Sequence, residues 1–455
     1  MDERAHMSNI DLTRFQFFQA ILKNRYPQMM IHVLMLAVFL FAILAGFVGT
    51  PVGSHNFAVV FVWIAWWAIL ILIAVPFLGR GWCAVCPIPV VGDWLQRGAV
   101  LDPSPERRAM NSQGGLGLKV PARFRNMWLQ NISFTLVALF SSVILTTPNV
   151  TSIVLVAMLF LSIGLSMVFR RRAFCRYLCP VGGFIGLYAQ AAPVELRIKE
   201  KNVCARCNGK PCYNGSERGS GCPWDIFPGG LTKNTYCGLC LECLRTCPQD
   251  NIAVSLRPFS ADLAKLSTRL DETCKAFIML GAALVYAYVL MGSNGAVKQA
   301  AYDVFSLPWF GYAAGFLAVI FGLLPGLFWL VVRLGHLNTT LTTRQFSIAA
   351  TAIIPLGLMF WVAFSLSFVL TNATYLLTTL SDPLGLGLDL FATASVPWQP
   401  VLSTLIPPIQ TLALVGGLVW SVRIAQNSAT EARTSPFPII LYCLVVTLLM
   451  LWLLI

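Results

Sequence analysis

The sequence predicts an all-α polytopic membrane protein of about nine transmembrane helices, with the N-terminus inside, the C-terminus outside and a small α+β domain inserted between helices. The chain is 57% hydrophobic and 11% charged, whereas soluble domains average about 25% charged residues. Long uncharged runs account for the difference. One polar stretch interrupts these runs, and most of the cysteines lie in it.

Nine runs are long or apolar enough to be predicted as transmembrane helices, which need about 20 residues to cross the hydrocarbon core. The fourth and fifth runs are shorter and would need flanking residues to complete the crossing. The first run follows a polar segment with no small-residue cleavage site after it, which predicts an uncleaved anchor. The runs are Met29–Gly49, Phe57–Leu78, Trp128–Leu145, Ser152–Phe169, Ala276–Met291, Trp309–Val332, Phe346–Leu370, Val401–Val422 and Pro436–Ile455.

The basic residues predict the orientation. If the N-terminus is inside and successive runs alternate, all of the 32 Lys and Arg except Lys298 fall on the cytoplasmic side. This asymmetry is what the positive-inside rule describes. The net charge of +13 therefore indicates membrane topology and lipid as a partner, and it does not indicate nucleic-acid binding. The predicted location is a bacterial or archaeal cytoplasmic (inner) membrane.

The chain divides into four predicted segments. Residues 1–27 form a cytoplasmic or interfacial segment, in which Leu12, Phe15, Phe18, Ile21 and Leu22 follow helical spacing; a disordered tail is the alternative. Residues 28–195 form a four-helix membrane domain with two Cys-Pro motifs. Residues 196–275 form a cytoplasmic insert, and residues 276–455 form a five-helix membrane domain.

Eight cysteines of the insert predict two [4Fe–4S] clusters. The run from Cys237 to Pro248 has the C-x2-C-x2-C-x3-C-P spacing of bacterial ferredoxins, in which the fourth cysteine serves the other cluster. A looser run ends at Cys222-Pro223. The crossover rule assigns Cys204, Cys207, Cys212 and Cys247 to cluster 1, and Cys237, Cys240, Cys243 and Cys222 to cluster 2. One cluster with a zinc knuckle is the alternative. The insert is therefore predicted to be a dicluster ferredoxin-like domain.

Four more cysteines form a candidate third redox or metal site: Cys83, Cys86, Cys175 and Cys179. Each pair follows a predicted helical hairpin and precedes a proline, so the two motifs resemble a degenerate repeat. Neighbouring arginines favour the thiolate, the form that binds metal; they are Arg80, Arg170, Arg171, Arg172 and Arg176. Packing at a helix end is the alternative. For the single cysteines Cys274 and Cys443, packing is the prediction.

The paired motifs and the cysteine-rich insert resemble the NapH/NosR/CcoG-type membrane polyferredoxins over about residues 28–260. This chain departs from that family by having C-x2-C-P at Cys83 instead of C-x3-C-P, and by its five further predicted helices. The resemblance implies electron flow between membrane quinone or a cytoplasmic redox protein and a partner protein.

We therefore expect a membrane-bound electron-transfer subunit of a respiratory or redox complex, such as a quinol dehydrogenase. The alternative is a maturation, assembly or regulatory factor for a metalloenzyme. A quinone hydrogen bond from His32 stays open, because this histidine lies inside the first predicted helix. A permease is disfavoured because the predicted helices contain no Asp, Glu, Lys or Arg, which ion-coupled transport needs.

Overall fold

The computed structural model describes residues 9–100, 115–266, 268–292, 294–336 and 341–455. The described chain is mostly helical, with one small sheet. It divides into two compact units, each built from three stretches of sequence. Unit 1 comprises Met1–Leu40, Ala74–Gln130 and Val156–Asp262, and unit 2 comprises Phe41–Ile73, Asn131–Leu155 and Leu263–Ile455.

Eight of the described helices are long and apolar enough to cross a membrane. This finding is compatible with the multi-pass membrane protein that the sequence predicts. Several of these helices continue past the apolar runs, because hydropathy alone does not define where a helix ends. They are Tyr26–Val48, Phe57–Ala84, Pro148–Val168, Leu270–Met291, Leu307–Leu334, Ile353–Asn372, Ile406–Ala432 and Pro436–Leu454.

The third predicted helix differs from expectation. Apolar residues run from Trp128 to Leu145, but the helix Trp128–Leu139 has only 12 residues and is followed, after Phe140, by the separate helix Ser141–Ile144. Neither piece alone meets the length needed to cross a bilayer. The described chain therefore has eight candidate membrane helices and one broken segment instead of about nine helices, and the predicted sidedness depends on that segment.

A three-stranded antiparallel sheet lies in unit 1, with strand order β1-β3-β2. Its strands are β1 (Ile10–Asp11), β2 (Val194–Ile198) and β3 (Ile252–Leu256). Buried Leu196, Ile252 and Val254 pack with the cysteines Cys212, Cys243 and Cys247 in one hydrophobic cluster. The strands thus hold cysteine-bearing loops against a small apolar core.

Unit 1 also contains several short helices. The predicted helix of the N-terminal segment is present as Gln16–Lys23, with exposed Phe17, Phe18 and Ile21. The remaining short helices are Leu12–Arg14, Gly79–Ala84, Val90–Arg97, Ala122–Phe124, Phe174–Leu178, Pro180–Tyr188, Lys201–Arg206, Pro211–Asn214, Pro228–Gly230, Asn234–Tyr236 and Glu242–Thr246.

Unit 2 is built around the helix Ile353–Asn372, which packs against Ile406–Ala432 and Leu270–Tyr286. Trp361 is buried at its centre, and its indole N–H donates to the carbonyl of Met279 at 3.0 Å. The shorter helices of this unit are Gly53–His55, Phe57–Val60, Phe61–Trp66, Ser141–Ile144, Ala287–Met291, Gly295–Tyr302, Leu307–Ala318, Val319–Leu323, Leu324–Leu334, Thr343–Ala350 and Tyr375–Ser381.

The helix Leu270–Tyr286 begins earlier than the apolar run that predicted it. Its first turns contain Asp271, Glu272 and Lys275, all of which are buried. Arg269 pairs with Asp271 at 2.6 Å, and Lys275 lies 5.0 Å from the ring of Phe134. The apolar runs contain no Asp, Glu, Lys or Arg, but longer helices of unit 2 that include them do.

Candidate metal centres

The predicted ligands of cluster 1 line one cavity of about 310 Å³ in unit 1. The cavity is lined by Cys204, Cys207, Cys212 and Cys247 together with a few apolar residues of the insert. Asn251 lies at its edge, where its side-chain amide donates to Cys204 Sγ at 3.2 Å and its backbone N–H donates to Cys247 Sγ at 3.4 Å. Burial and the thiolates of Cys247, Cys204 and Cys207 raise the pKa of Cys212 to about 12.

The predicted ligands of cluster 2 also lie together, and they are Cys222, Cys237, Cys240 and Cys243. Burial, followed by repulsion from Cys240, Cys237 and Cys222, raises the pKa of Cys243 well above its usual value. Burial likewise raises the pKa of Cys237 to about 11 and that of Cys240 to about 12. These thiols hold their protons in the metal-free chain, so metal binding must release them.

The loop from Cys237 to Cys243 has a backbone suited to wrapping a cofactor. Leu239 and Leu241 have left-handed φ angles of 47° and 63°, which L-residues rarely adopt without a structural reason. A Cβ at Gly238 would lie 2.0 Å from the indole of Trp224. Any larger residue at position 238 would therefore clash with the buried Trp224 ring.

The four membrane-surface cysteines are brought together from two hairpins. Cys83 lies in the last turn of the helix Phe57–Ala84, and Cys86 follows that helix. Cys175 lies in Phe174–Leu178, and Cys179 is the N-cap of Pro180–Tyr188. The N–H of Gly182 donates to Cys179 Sγ at 3.2 Å. Burial, followed by repulsion from Cys179, raises the pKa of Cys175 well above its usual range, and Cys86 and Cys83 add to this effect.

The arginines expected around these four thiols divide into two sets. Arg170, Arg171 and Arg176 lie within 4 Å of the carboxylate of Asp225, so they hold the insert loop and do not serve the thiols. Arg80 and Arg172 are the two that face the cysteines. Their charges lower the pKa of Cys179 and Cys175, respectively, but burial is the larger effect and raises both, that of Cys179 to about 11. Arg80 and Arg172 therefore favour the thiolate in the predicted direction, but burial outweighs their effect on the pKa of both thiols.

Arg172 is a buried cation with a carboxylate partner. It donates from Nε to Asp93 Oδ2 at 2.9 Å and from Nη2 to the same oxygen at 2.5 Å. Nη1 donates to the carbonyl of Cys83 at 3.2 Å, and the backbone N–H donates to the carbonyl of Pro223 at 2.9 Å. Burial alone would raise the pKa of Asp93, but the Arg172 guanidinium brings it below its usual value.

Arg80 is a buried cation without a carboxylate partner in the described part of the chain. Its side chain is only 2% exposed. Nη2 donates to the carbonyl of Gly182, whereas Nε and Nη1 are buried and have no acceptor. The guanidinium carbon lies 4.8 Å from the ring centroid of Trp224. These orphaned donors fit an anionic cofactor held by the adjacent thiolates.

A cavity of about 570 Å³ in unit 1 adjoins Cys240, one of the predicted ligands of cluster 2. The ligands of cluster 1 are called the first group, those of cluster 2 the second group, and Cys83, Cys86, Cys175 and Cys179 the third or hairpin group. Cys240 lines the cavity together with His32, Trp94, Arg97 and Arg172. The ring Nε2 of His32 lies 2.8 Å from the carbonyl of Ala84, which also accepts from the amide of Gln28 at 2.8 Å. Sequence reasoning singled out His32 but had no signal for this cavity, because its walls come from distant parts of the chain.

No group of three or more His, Cys, Asp and Glu side chains in the described residues has a geometry suited to a single metal ion. Four thiolates around one zinc ion would lie roughly 3.8 Å apart, from Zn–S bonds of about 2.3 Å in a tetrahedron. An iron–sulfur cubane places its own irons and sulfides between the thiolates, so its ligands lie farther apart. Grouped cysteines without a site for a single metal ion are therefore consistent with iron–sulfur clusters.

A comparison with protein-family models matches two segments of the chain to an iron–sulfur family. The model described as "4Fe-4S binding domain" matches residues 59–103 and 151–199. The match supports an iron–sulfur protein. The matched residues contain the two membrane-surface motifs and none of the eight cysteines between Cys204 and Cys247. No curated protein matches the chain, and no solved structure matches it.

Proposed function

We propose that this protein is a membrane-bound electron-transfer subunit that holds three [4Fe–4S] clusters, one in each group of four cysteines. The observation that carries the proposal is the convergence of the three groups in one compact unit, with the buried cation Arg80 beside two of them. A 4Fe–4S cluster accepts and releases single electrons when bound. The proposed location is a bacterial or archaeal cytoplasmic membrane, with the insert on the cytoplasmic side.

The residues around each group support binding and tuning. N–H groups of Asn251 and Gly182 donate to thiols of the first and third groups, and such hydrogen bonds stabilise thiolate ligands and raise reduction potential. Burial excludes water from Cys212, Cys243 and Cys175. The family match on the hairpins adds an argument for the third group that spacing alone did not supply.

The cavity beside Cys240 supports a quinone site as part of the proposal. Met29 and His32, from the first turns of Tyr26–Val48, form part of its lining. Trp94 and Val90 offer apolar contacts for a ring, and Arg97 offers donors for a carbonyl oxygen. Photocrosslinking with an azidoquinone should label peptides that line this cavity. Labelling confined to unit 2 would contradict the proposed quinone site.

Metal analysis of protein purified without oxygen tests the clusters. Three cubanes require about twelve irons and twelve sulfides for each chain, four of each for every cluster. Replacing all four hairpin cysteines by serine should remove about a third of the iron, and Cys240→Ser or Cys207→Ser should each abolish one cluster signal in electron paramagnetic resonance. Cys443→Ser is the matched control, because Cys443 is buried far along the chain in Pro436–Leu454.

Two results would contradict the proposal. Unchanged iron content in the hairpin variant would refute the third cluster, and unchanged content in Cys240→Ser would refute the second.

Purification in mild detergent tests whether the protein is a subunit of a larger complex. A stoichiometric complex with other redox proteins is the expected result, whereas transient association with an enzyme under assembly would favour a maturation factor.

A further inference from the structure

Arg80 occupies an unusual electrostatic position. It is almost fully buried, it has no carboxylate partner in the described residues, and two of its three guanidinium nitrogens lack an acceptor. A buried charge without a counter-charge is strongly destabilising. An anion beside Arg80 in the complete protein would supply the missing counter-charge and an acceptor for these nitrogens.

Contacts connect Arg80 to the hairpin cysteines on one side. Its Nη2 donates to the carbonyl of Gly182, and the N–H of the same Gly182 donates to Cys179 Sγ at 3.2 Å. A Cβ at Gly186 would lie 2.5 Å from Nη2, so the helix Pro180–Tyr188 approaches the guanidinium closely. The charge is therefore fixed next to the third cysteine group.

Contacts connect the same side chain to the insert on the other side. The guanidinium stacks on Trp224 at 4.8 Å, and Trp224 follows Cys222 by two residues. The indole in turn fills the space in front of Gly238, the residue after Cys237. Arg80 thus reaches the second cysteine group through one aromatic ring.

We propose that Arg80 is a shared counter-ion for the cofactors of the hairpin group and of the second group, and that it sets the reduction potentials of both. The inference rests on the proposed function. A fixed positive charge stabilises the more negative, reduced state of a cofactor and so raises its reduction potential. Arg172 has less effect because Asp93 neutralises it. Arg80 is a positioning residue in this role and does not ligate metal.

Anaerobic redox titration monitored by electron paramagnetic resonance tests the inference. The variant Arg80→Gln keeps hydrogen-bonding capacity but removes the charge, and we expect a lower midpoint potential at both the hairpin cofactor and the second cofactor. Arg80→Lys keeps the charge on a shorter side chain without the planar fork, and we expect a smaller downward shift at both sites. Arg170→Gln is the control, because that arginine pairs with Asp225 at 3.2 Å and is more exposed; its potentials should match the parent protein.

The outcomes separate the inference from the function beneath it. Wild-type potentials at both sites in Arg80→Gln with full iron content would overturn the inference and leave the clusters in place. A shift at one site only would overturn the shared role. If Arg80→Gln loses iron, Arg80→Lys should keep it, because the retained charge still acts as the counter-ion; loss of iron in both variants, with full iron in Arg170→Gln, would overturn the role of the charge. Absence of a hairpin signal in the parent protein would overturn both the inference and the third cluster.

Discussion

At the scale of single residues, two aspartates of the insert form ion pairs in very different surroundings. Asp262 is fully buried and pairs with Arg257 at 2.5 Å and with Arg197 at 3.0 Å. Asp250 pairs with Lys23 at 2.7 Å, but its side chain is 60% exposed. Breaking a buried pair leaves an uncompensated charge, whereas a solvated pair contributes little. The two carboxylates therefore provide a matched comparison.

We predict that Asp262→Asn destabilises unit 1 by about 3 kcal/mol, since Arg257 would stay buried without its full counter-charge. Asp250→Asn should cost no more than about 1 kcal/mol. Thermal unfolding in detergent, followed by fluorescence, measures both. Equal stabilities of the two variants would contradict the argument.

The same carboxylate predicts the acid sensitivity of this region. Burial alone would raise the pKa of Asp262, but hydrogen bonds and charge from Arg257 and Arg197 lower it below its usual value. A lowered pKa contributes stability above the unfolded value of about 3.9, and this contribution is lost as the pH falls through the folded value. Wild-type protein should lose stability below about pH 4, and Asp262→Asn should lose less over the same range.

We also predict that Gly238→Ala removes the second cluster. The added Cβ would lie 2.0 Å from the Trp224 indole, so the ring or the cysteine loop must move. Gly230→Ala is the control, because nothing lies within 4 Å of a Cβ there. Iron content and the spectroscopic signal of each variant decide the matter, and a full signal in Gly238→Ala would show that the loop tolerates the shift.

At the scale of elements, periodicity and hydropathy predicted most membrane helices but not the break at Phe140. Hydropathy sums apolarity over a window, and it is insensitive to one residue that leaves helical geometry. The strand β1 was also missed: Ile10 pairs with Leu256, and no local pattern in a two-residue strand reveals a partner so distant in sequence. The helix after it was found because its apolar residues follow helical spacing.

The broken segment nevertheless has to cross for the charge asymmetry to hold. We predict that Trp128–Leu139 and Ser141–Ile144 together span the membrane, so that residue 147 lies outside. A Thr147→Cys variant in intact cells should react with an impermeant maleimide, as should Lys298→Cys, while Lys199→Cys should not. If Thr147→Cys is protected while Lys298→Cys is labelled, the prediction that the broken segment crosses the membrane is contradicted.

At the scale of the whole molecule, the motifs predict how the cysteines divide between the clusters, and this division stays a prediction. The ferredoxin spacing predicts that Cys222 and Cys247 each bind the cluster of the other cysteine run. Three ligands share one tight loop, and the fourth must turn away. The arginines could not be sorted in the same way. All five lie near cysteines in sequence, but Asp225, which engages three of them, lies about 50 residues further on.

Orientation is the prediction that belongs to the complete chain. With the broken segment crossing, the N-terminus inside and the C-terminus outside are on opposite faces; eight crossings would place them on the same face. A reporter that is active only outside the cytoplasm, fused after Ile455, should be active. The same reporter fused within the insert at Lys199 should be silent, and activity at both positions would reject the orientation.

The discontinuity of unit 1 has a consequence for biogenesis. Its three stretches, ending at Leu40, Gln130 and Asp262, are separated by parts of unit 2. A ribosome synthesises the first membrane helices long before Cys247 and Asp262 emerge. Iron delivery to the thiols must therefore wait until those helices have been handed to the insertion machinery, and the last 193 residues, Leu263–Ile455, can still be under synthesis when the cysteine sites become complete.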